Sequence, residues 1–442
     1  MSDIESRTIN KLMWRLIPFL ILCYFVAFLD RVNVGFAKLQ MNAALGLSDA
    51  AYGLGAGLFF VGYFFFEVPS NLLLERFGAR RWIARIMITW GIVSGLFAFI
   101  PHISAMTGFS STTIFYFLRL LLGAFEAGFF PGIIFYLTLW FPSIYRARVI
   151  SLFMLAIPIS NIVGSPISGF LLTLHGGGLD GWQWLFVIEA IPSVLVGCCV
   201  LMFLTDFPHQ ARWLQQDEIA WLQRRLDSEK KEKESAEHFT IIKAMTDSRI
   251  LLCSAIYFCH NAATYGIFFF MPTIIKGFGF SEVQTGFLAA VPFIFGAIGM
   301  VLFGRHSDRT VERKRHVAAA LLLVAIGLGF SGLVPSAWIV LALLCVAVIG
   351  SSSIPPMFWP MPASILTGAS AAAGIAAINS IGNLAGFVGP YVMGSLRDAT
   401  GGFTVGLIIL ASCAVIGALL SLRVPIDAEI ERHAGKLAVA AH

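Results

Sequence analysis

Charge is what this sequence has least of. Among 442 residues, Asp, Glu, Lys and Arg together make up 12%, about half the share carried by soluble chains. That excludes a water-facing globular surface over most of its length. The seven cysteines stand at 23, 198, 199, 253, 259, 345 and 413, all in apolar segments and never as C-x-x-C or beside a His pair. Zinc and dithiol motifs are therefore missing, and the thiols read as small packing residues. There is no H-E-x-x-H, no G-x-S-x-G and no nucleotide loop, so no residue pattern points to a membrane-embedded enzyme, a cofactor or a metal. The net charge of +5 is spread over loops instead of forming one patch, which argues against a nucleic-acid partner.

What is there is apolar, 58% of the chain. It gathers into twelve runs, at 16–36, 53–74, 82–100, 114–139, 149–174, 184–204, 250–275, 284–303, 317–334, 338–356, 371–396 and 403–422. Crossing a bilayer takes about 20 such residues in a helix, because lipid offers no partner to a peptide group and a helix satisfies its own. The tenth run is the weakest, ending in Ile354-Pro355-Pro356. The pattern predicts an all-α polytopic membrane protein whose solvent partner is the lipid bilayer. We expect an N-terminal bundle over 1–205, a linker over 206–247 and a C-terminal bundle with a short tail over 248–442.

Lys and Arg fall almost entirely on one side of this map. Arg7, Lys11, Arg15, the 76–85 and 305–315 groups, Arg146, Arg148, the linker and the tail share one side, while the other holds only Lys38, Lys276 and Arg397. The positive-inside rule then puts both termini in the cytoplasm. The first run continues into Asp30-Arg31 with no small-residue cleavage site, unlike a signal peptide. In the linker, Trp213, Leu214, Ile219, Trp221, Leu222 and Leu226 are spaced as one face of a helix, which reads as an amphipathic segment lying against the membrane.

Two features recur six spans apart. Asn71-Leu72-Leu73-Leu74-Glu75-Arg76-Phe77-Gly78-Ala79-Arg80-Arg81 follows the second span, and Gly304-Arg305-His306-Ser307-Asp308-Arg309, then Arg313-Lys314-Arg315, follows the eighth. Each sets an acid beside an arginine ahead of a basic cluster, which can latch neighbouring helix ends. Gly164-Ser165-Pro166-Ile167-Ser168-Gly169 in the fifth span is answered by Gly386-Phe387-Val388-Gly389-Pro390 and Gly394 in the eleventh. Such repeats predict two pseudo-symmetric six-helix bundles with a site between them near the midplane.

Over nearly its whole length the sequence resembles the major facilitator superfamily. The first loop element departs from that family's pattern at Asn71 and Glu75, where glycine and aspartate are usual, and the second is closer to it. The run Phe28-Leu29-Asp30-Arg31-Val32-Asn33-Val34-Gly35-Phe36, the segment from Arg119 through Gly123-Ala124-Phe125-Glu126-Ala127-Gly128-Phe129-Phe130-Pro131, and Trp213-Leu214 resemble the anion:cation symporter family. Phe269-Phe270-Met271-Pro272-Thr273 and Ile378-Asn379-Ser380-Ile381-Gly382-Asn383 are similar to its tartrate and aromatic-acid branch. The resemblance implies uptake of a carboxylate together with protons, and family positions for substrate contact match Tyr63, Trp359 and Asn379.

Buried charge leads to the same place. Asp30, Arg31, Glu67, Arg119, Glu126 and Glu189 lie within apolar spans, where a central charge costs ~2.5–3.5 kcal/mol or more. At ~1.5 Å per residue, Asp30 and Arg119 fall at similar depth, which predicts an ion pair. Arg119 and Glu126 share a helix face two turns apart, and Arg31, turned about 100° from Asp30, is placed to meet a substrate carboxylate with its planar fork. Glu67 and Glu189 are read as structural. We expect Asp30 and Glu126 to carry protons and Arg31 and Arg119 to bind the anion. Tyr63, Asn161, His260, Asn261, Tyr265, Trp359, Asn379 and Asn383 are weaker lining candidates, while Glu75, Arg76, Gly78, Arg80, Asp308 and Arg309 would serve gating. These expectations describe a proton-coupled organic-anion importer in a bacterial inner membrane, acting as a monomer without cofactor. The alternatives are proton-independent anion exchange and a transporter-like sensor.

Overall fold

The computed structural model describes residues 3–234, 247–310, 312–365 and 369–425. Its helices are α1 (Asp3–Leu45), α2 (Asp49–Phe77), α3 (Ala79–Leu96), α4 (Ile100–Thr107), α5 (Ser111–Glu126), α6 (Phe129–Trp140), α7 (Ser143–Met154), α8 (Ala156–Leu171) and α9 (Gly181–Phe203). They continue with α10 (Gln216–Glu234), α11 (Ser248–Phe268), α12 (Met271–Lys276), α13 (Glu282–Thr310), α14 (Lys314–Ser331), α15 (Ala337–Phe358), α16 (Pro360–Ile365), α17 (Ala369–Thr400) and α18 (Thr404–Ser421). Twelve spans are long and apolar enough to cross a membrane, as expected. Several are assembled from two pieces, among them the fourth (α5 with α6), the fifth (α7 with α8) and the tenth (α15 with α16). The first runs over 42 residues, about 63 Å at 1.5 Å per residue. It therefore overshoots the ~30 Å hydrocarbon core at its ends.

The chain gathers into two compact units. One comprises Met1–Ala37, Val61–Gly164 and Leu171–Ala236, and the other Lys38–Phe60, Ser165–Phe170 and Glu237–His442. Helices α1, α2 and α8 therefore each change unit along their length. In the first unit α3 packs on α9, and glycine sets the distance: a Cβ on Gly91 would lie 2.9 Å from that of Ser193, and one on Gly197 2.9 Å from Ile88 Cγ1. In the second unit α14 meets α15 in the same way at Gly327, where a Cβ would lie 2.5 Å from the Ala347 nitrogen. With no hydrophobic force between helices in lipid, close backbone approach at small residues is what holds them.

The apolar face of α10 packs on the first unit: Leu222 is fully buried, and Trp213, just upstream, stacks on Trp140 with ring centroids 5.6 Å apart. Acids pin the helix. Glu218 is fully buried and meets Arg7 Nε at 2.9 Å and Lys11 Nζ at 2.8 Å. It also accepts from the Gln215 backbone N–H ahead of its own helix, half of a capping box. Glu229 accepts from the Ser143 backbone N–H at 3.0 Å and from Arg146 at 3.0 Å. It thereby caps α7, whose preceding Pro142 offers no side-chain acceptor. The rest of the expected linker, 235–246, and the C-terminal tail lie outside the described residues.

Burial pushes the Glu218 carboxyl up, but hydrogen bonds from Gln215, Lys11 and Arg7 outweigh it and hold the group below its ordinary value. A carboxylate depressed in the docked state stabilises docking above its free pKa of about 4.3. That contribution is lost as pH falls through the docked value. Glu218→Gln should raise amide exchange in α10 roughly tenfold at neutral pH, about 1.4 kcal/mol, a modest loss because Arg7 and Lys11 are partly solvated. It should also remove the loosening that the parent undergoes in acid. Equal protection in parent and variant would take Glu218 out of the docking contact.

Candidate functional site

Three helices of the first unit converge on position 30. Asp30 is 2% exposed and accepts from four neutral donors: Trp90 Nε1 and Ser94 Oγ of α3, each at 2.9 Å, Ser193 Oγ of α9, and Asn33 Nδ2 at 3.4 Å. A carboxylate has about four lone-pair sites, so its capacity is filled. Trp90 and Ser94 stand at i, i+4 on one face of α3. Ser193 comes within reach because Gly91 opposite it carries no Cβ.

Arg31, next along α1, turns to α5 and forms an ion pair with Glu126, the side chains 13% and 3% exposed. Its guanidinium lies 4.9 Å over the Phe28 ring. Beneath Phe28 is Tyr24, at 5.0 Å, itself stacked on Phe153 at 4.5 Å. An aromatic bed keeps water away and strengthens the attraction.

Glu126 is the last residue of α5. Ala127 leaves the helical region, Gly128 turns with φ 86°, and α6 begins at Phe129. Only glycine suits this turn, since a Cβ at 128 would also press on Ser70, 2.7 Å from its Cβ. The break leaves the closing carbonyls of α5 without helical partners and adds a carboxylate to that negative helix end, an arrangement a cation must offset. Arg31 supplies it. Broken spans in secondary transporters mark ion and substrate sites.

Arg119, 2% exposed, lies on the same buried face of α5 two turns before Glu126. The expected Asp30–Arg119 pair does not form. Side-chain donors from α3 and α9 already surround Asp30, and the cation hydrogen-bonded to Glu126 is Arg31. Tyr63 is buried on α2, and Glu189 is buried on α9 one turn before Ser193. Glu67 is half-buried. Asn161 donates Nδ2 to the Ile157 carbonyl of its own helix at 2.8 Å, a local role.

In the second unit the expected lining residues gather around one that sequence reasoning missed, Tyr257. Its ring stacks on Phe358 at 5.2 Å and meets Trp359 at 5.0 Å and His260 at 5.8 Å. Trp359 stands at the break between α15 and α16. Asn261 donates to the Gly382 carbonyl at 3.0 Å, which ties α11 to the stretch of α17 carrying half-buried Asn379 and Asn383 one turn apart. Tyr265 turns elsewhere, packing on Phe60 at 4.6 Å. Among the described residues no group of three His, Cys, Asp or Glu could hold a metal ion.

Of the gating candidates, Gly78 makes the α2–α3 turn with φ 86°. Arg80 donates Nε to the Leu201 carbonyl at 2.7 Å, and its backbone N–H donates to Asp206 at 2.8 Å. Glu75 and Arg76 are exposed, so the acid engaging this turn is Asp206, which the motif did not include. Asp308 pairs with Arg313 at 3.1 Å, and Arg309 is exposed.

A family model described as Major Facilitator Superfamily matches residues 20–390. The chain belongs to that superfamily. It is 51% identical over 422 residues to the "Putative tartrate transporter" of Agrobacterium vitis, covering 95% of this chain and 92% of that one. It is 42% identical to the quinolone resistance transporter of Acinetobacter baumannii, covering 95% of each. The crystal structure of a D-xylose-proton symporter matches with a TM-score of 0.73 at 15% identity, over 95% of this chain and 99% of the other, which establishes a shared fold. This major facilitator superfamily chain is thus a membrane transporter and not an enzyme.

If Arg31 and Glu126 are partners and Asp30 and Arg119 are not, double-mutant cycles in detergent should say so. Arg31→Gln with Glu126→Gln should be less destabilised than the sum of the singles by about 1–3 kcal/mol. Asp30→Asn with Arg119→Gln should be additive within about 0.5 kcal/mol. The reverse pattern would restore the original pairing.

Proposed function

We propose that this transporter imports a small organic anion, a carboxylate such as tartrate, a sugar acid or an aromatic acid, by proton symport. Access alternates between two six-helix halves, 1–205 and 248–442, joined by the linker 206–247. The observation that carries the reading is the Arg31–Glu126 pair at a break in the fourth span. While Glu126 is ionised it occupies the guanidinium. Once Glu126 is protonated its charge is gone, and the guanidinium can turn to a substrate carboxylate in a bidentate contact. Proton and anion are then bound together because they resolve the same buried charge. Asp30, which would give up one of its donors on taking a proton, is the second proton site in this reading, and Arg119 a second cation for the anion. Tyr63, Tyr257, His260, Asn261, Trp359, Asn379 and Asn383 are the candidates for holding hydroxyls or a ring, as amides and aromatics do in small-molecule sites. The basic end faces the cytoplasm under the positive-inside rule, in a bacterial inner membrane, and Gly78, Arg80, Asp308 and Arg309 belong to the gate there. The protein acts as a monomer.

The relative named for tartrate supports a carboxylate, while the relative named for quinolone resistance makes drug export the competing assignment. Glu126→Gln separates the steps. Exchange uses only the loaded carrier, whereas net symport also needs the empty carrier to return after releasing its proton, and glutamine has none to release. In proteoliposomes the variant should sustain tartrate or sugar-acid counterflow near the parent rate and lose at least about 90% of uptake driven by an inward proton gradient. Accumulation undiminished in the variant would remove Glu126 as an obligatory proton site. Counterflow of a quinolone, with none of tartrate or any sugar acid tested, would favour a quinolone as the substrate.

A further inference from the structure

At the basic end of the first unit, arginines and aromatic rings are stacked on one another. The Phe77 ring, at the end of α2, lies against Trp82 of α3 with centroids 5.7 Å apart and planes 11° from parallel. Arg85, one turn further along α3, holds its guanidinium 3.9 Å over the indole, and Arg76 holds its own 5.8 Å over Phe77. Two stacked rings thus carry one cation each. The indole is itself fixed, because Trp82 Nε1 donates to Ser70 Oγ at 3.0 Å. Arg81, the residue before Trp82, is exposed.

Among the described residues, none of Arg76, Arg81 and Arg85 pairs with a carboxylate, and no acceptor takes a side-chain N–H of Arg85, whose Nε is also shielded from solvent. The acids of this turn, Glu75 and Asp206, line a cavity around Gly78 instead. Arg85 lies about 9 Å from the start of the span Ala79–Thr107 at 1.5 Å per residue. That span, about 44 Å long, reaches from headgroups to headgroups, so Arg85 falls near the border between headgroup and hydrocarbon. Ile92 and Leu96 follow it at i+7 and i+11 and are exposed, which puts them on the same outward stripe of α3. The stripe runs on from Arg85 for about 17 Å, roughly half of the ~30 Å hydrocarbon core.

We propose that Arg76, Arg81 and Arg85, ordered by the Phe77–Trp82 stack, bind the phosphate of an anionic phospholipid in the leaflet at the basic end of the molecule, with one acyl chain lying along Ile92 and Leu96. Basic side chains at helix ends ordinarily snorkel to water and need no partner of their own. Arg85 differs, because stacking on a hydrogen-bonded indole keeps its guanidinium at the border, where a planar fork meets phosphate oxygens in a bidentate contact. A lipid fits better than free phosphate, since the apolar stripe continues directly from the cations and one molecule covers both. An anionic headgroup fits better than a choline, whose quaternary ammonium would return a positive charge to three arginines. The site does not depend on what the carrier transports.

Native mass spectrometry tests this on purified protein in detergent, titrated at fixed ionic strength with phosphatidylglycerol or with phosphatidylcholine of the same acyl chains. The parent should retain one phosphatidylglycerol roughly tenfold more tightly than phosphatidylcholine, the scale of one hydrogen bond to a charged group. Arg85→Gln should abolish that preference. Arg81→Gln, at an exposed position that folding tolerates, should reduce it about threefold and covers the case in which Arg85→Gln does not fold. Arg15→Gln is the control: Arg15 belongs to the same end and lies 5.3 Å over a single ring, Phe203, and its loss should leave the preference unchanged. No preference in the parent, patch variants that match the parent, or equal losses in the patch variants and Arg15→Gln would each mean diffuse attraction without a site and overturn the proposal. Displacement of the lipid by inorganic phosphate would overturn it too, because the site would then read a free anion.

Discussion

A charge in a hydrocarbon environment has to be paired, hydrogen-bonded or given a path to water, and the helices of this chain are arranged around that requirement. Asp30 meets it with four neutral donors from three helices. Glu126 meets it with Arg31 and Lys38 with Asp49, and outside the spans buried Glu218 is likewise paired, with Arg7 and Lys11. The close packing of α3 on α9 is what brings Ser193 to Asp30, so the glycine at 91 serves the acid as much as the fold. Packing and electrostatics are here the same design problem.

The solutions differ in how readily they reverse. Neutral hydroxyl and indole donors hold Asp30 without a counter-charge, so nothing in that ring is lost to an incoming anion. The Glu126 pair is different, because its arginine is also the group best shaped to receive a carboxylate. In the proposed cycle an anion and Glu126 compete for that cation. That competition is the coupling device, and the helix break between α5 and α6 sharpens it by setting the carboxylate against a negative helix end.

How much of this was legible in the sequence depended on whether the signal was local. The twelve spans were legible because lipid enforces one structure on long apolar runs. Buried charges announced themselves by type and depth. Their partners did not: equal depth suggested Asp30 with Arg119, but depth says nothing of which way a side chain faces around a bundle. Trp90 and Ser94 left a readable trace, two polar groups at i, i+4 in an apolar span, whereas Ser193 and Asp206 act across the fold and left none. The break at Ala127-Gly128 was concealed by apolar neighbours that are equally at home in a continuous helix. The periodicity of α10 was legible and the protein surface it packs on was not, because an apolar stripe fits a protein surface as well as a membrane.

The central claim is that Glu126 and the substrate carboxylate contend for Arg31, and equilibrium binding in detergent tests it without any membrane gradient. Titrating purified protein with tartrate or another bound carboxylic acid between pH 5 and 8 should give a Kd that rises with pH, approaching about tenfold per unit where Glu126 is ionised in the free protein. In Glu126→Gln that dependence should vanish and the affinity should stay near the low-pH value. A parent Kd independent of pH, or a slope that survives in Glu126→Gln, would contradict the account.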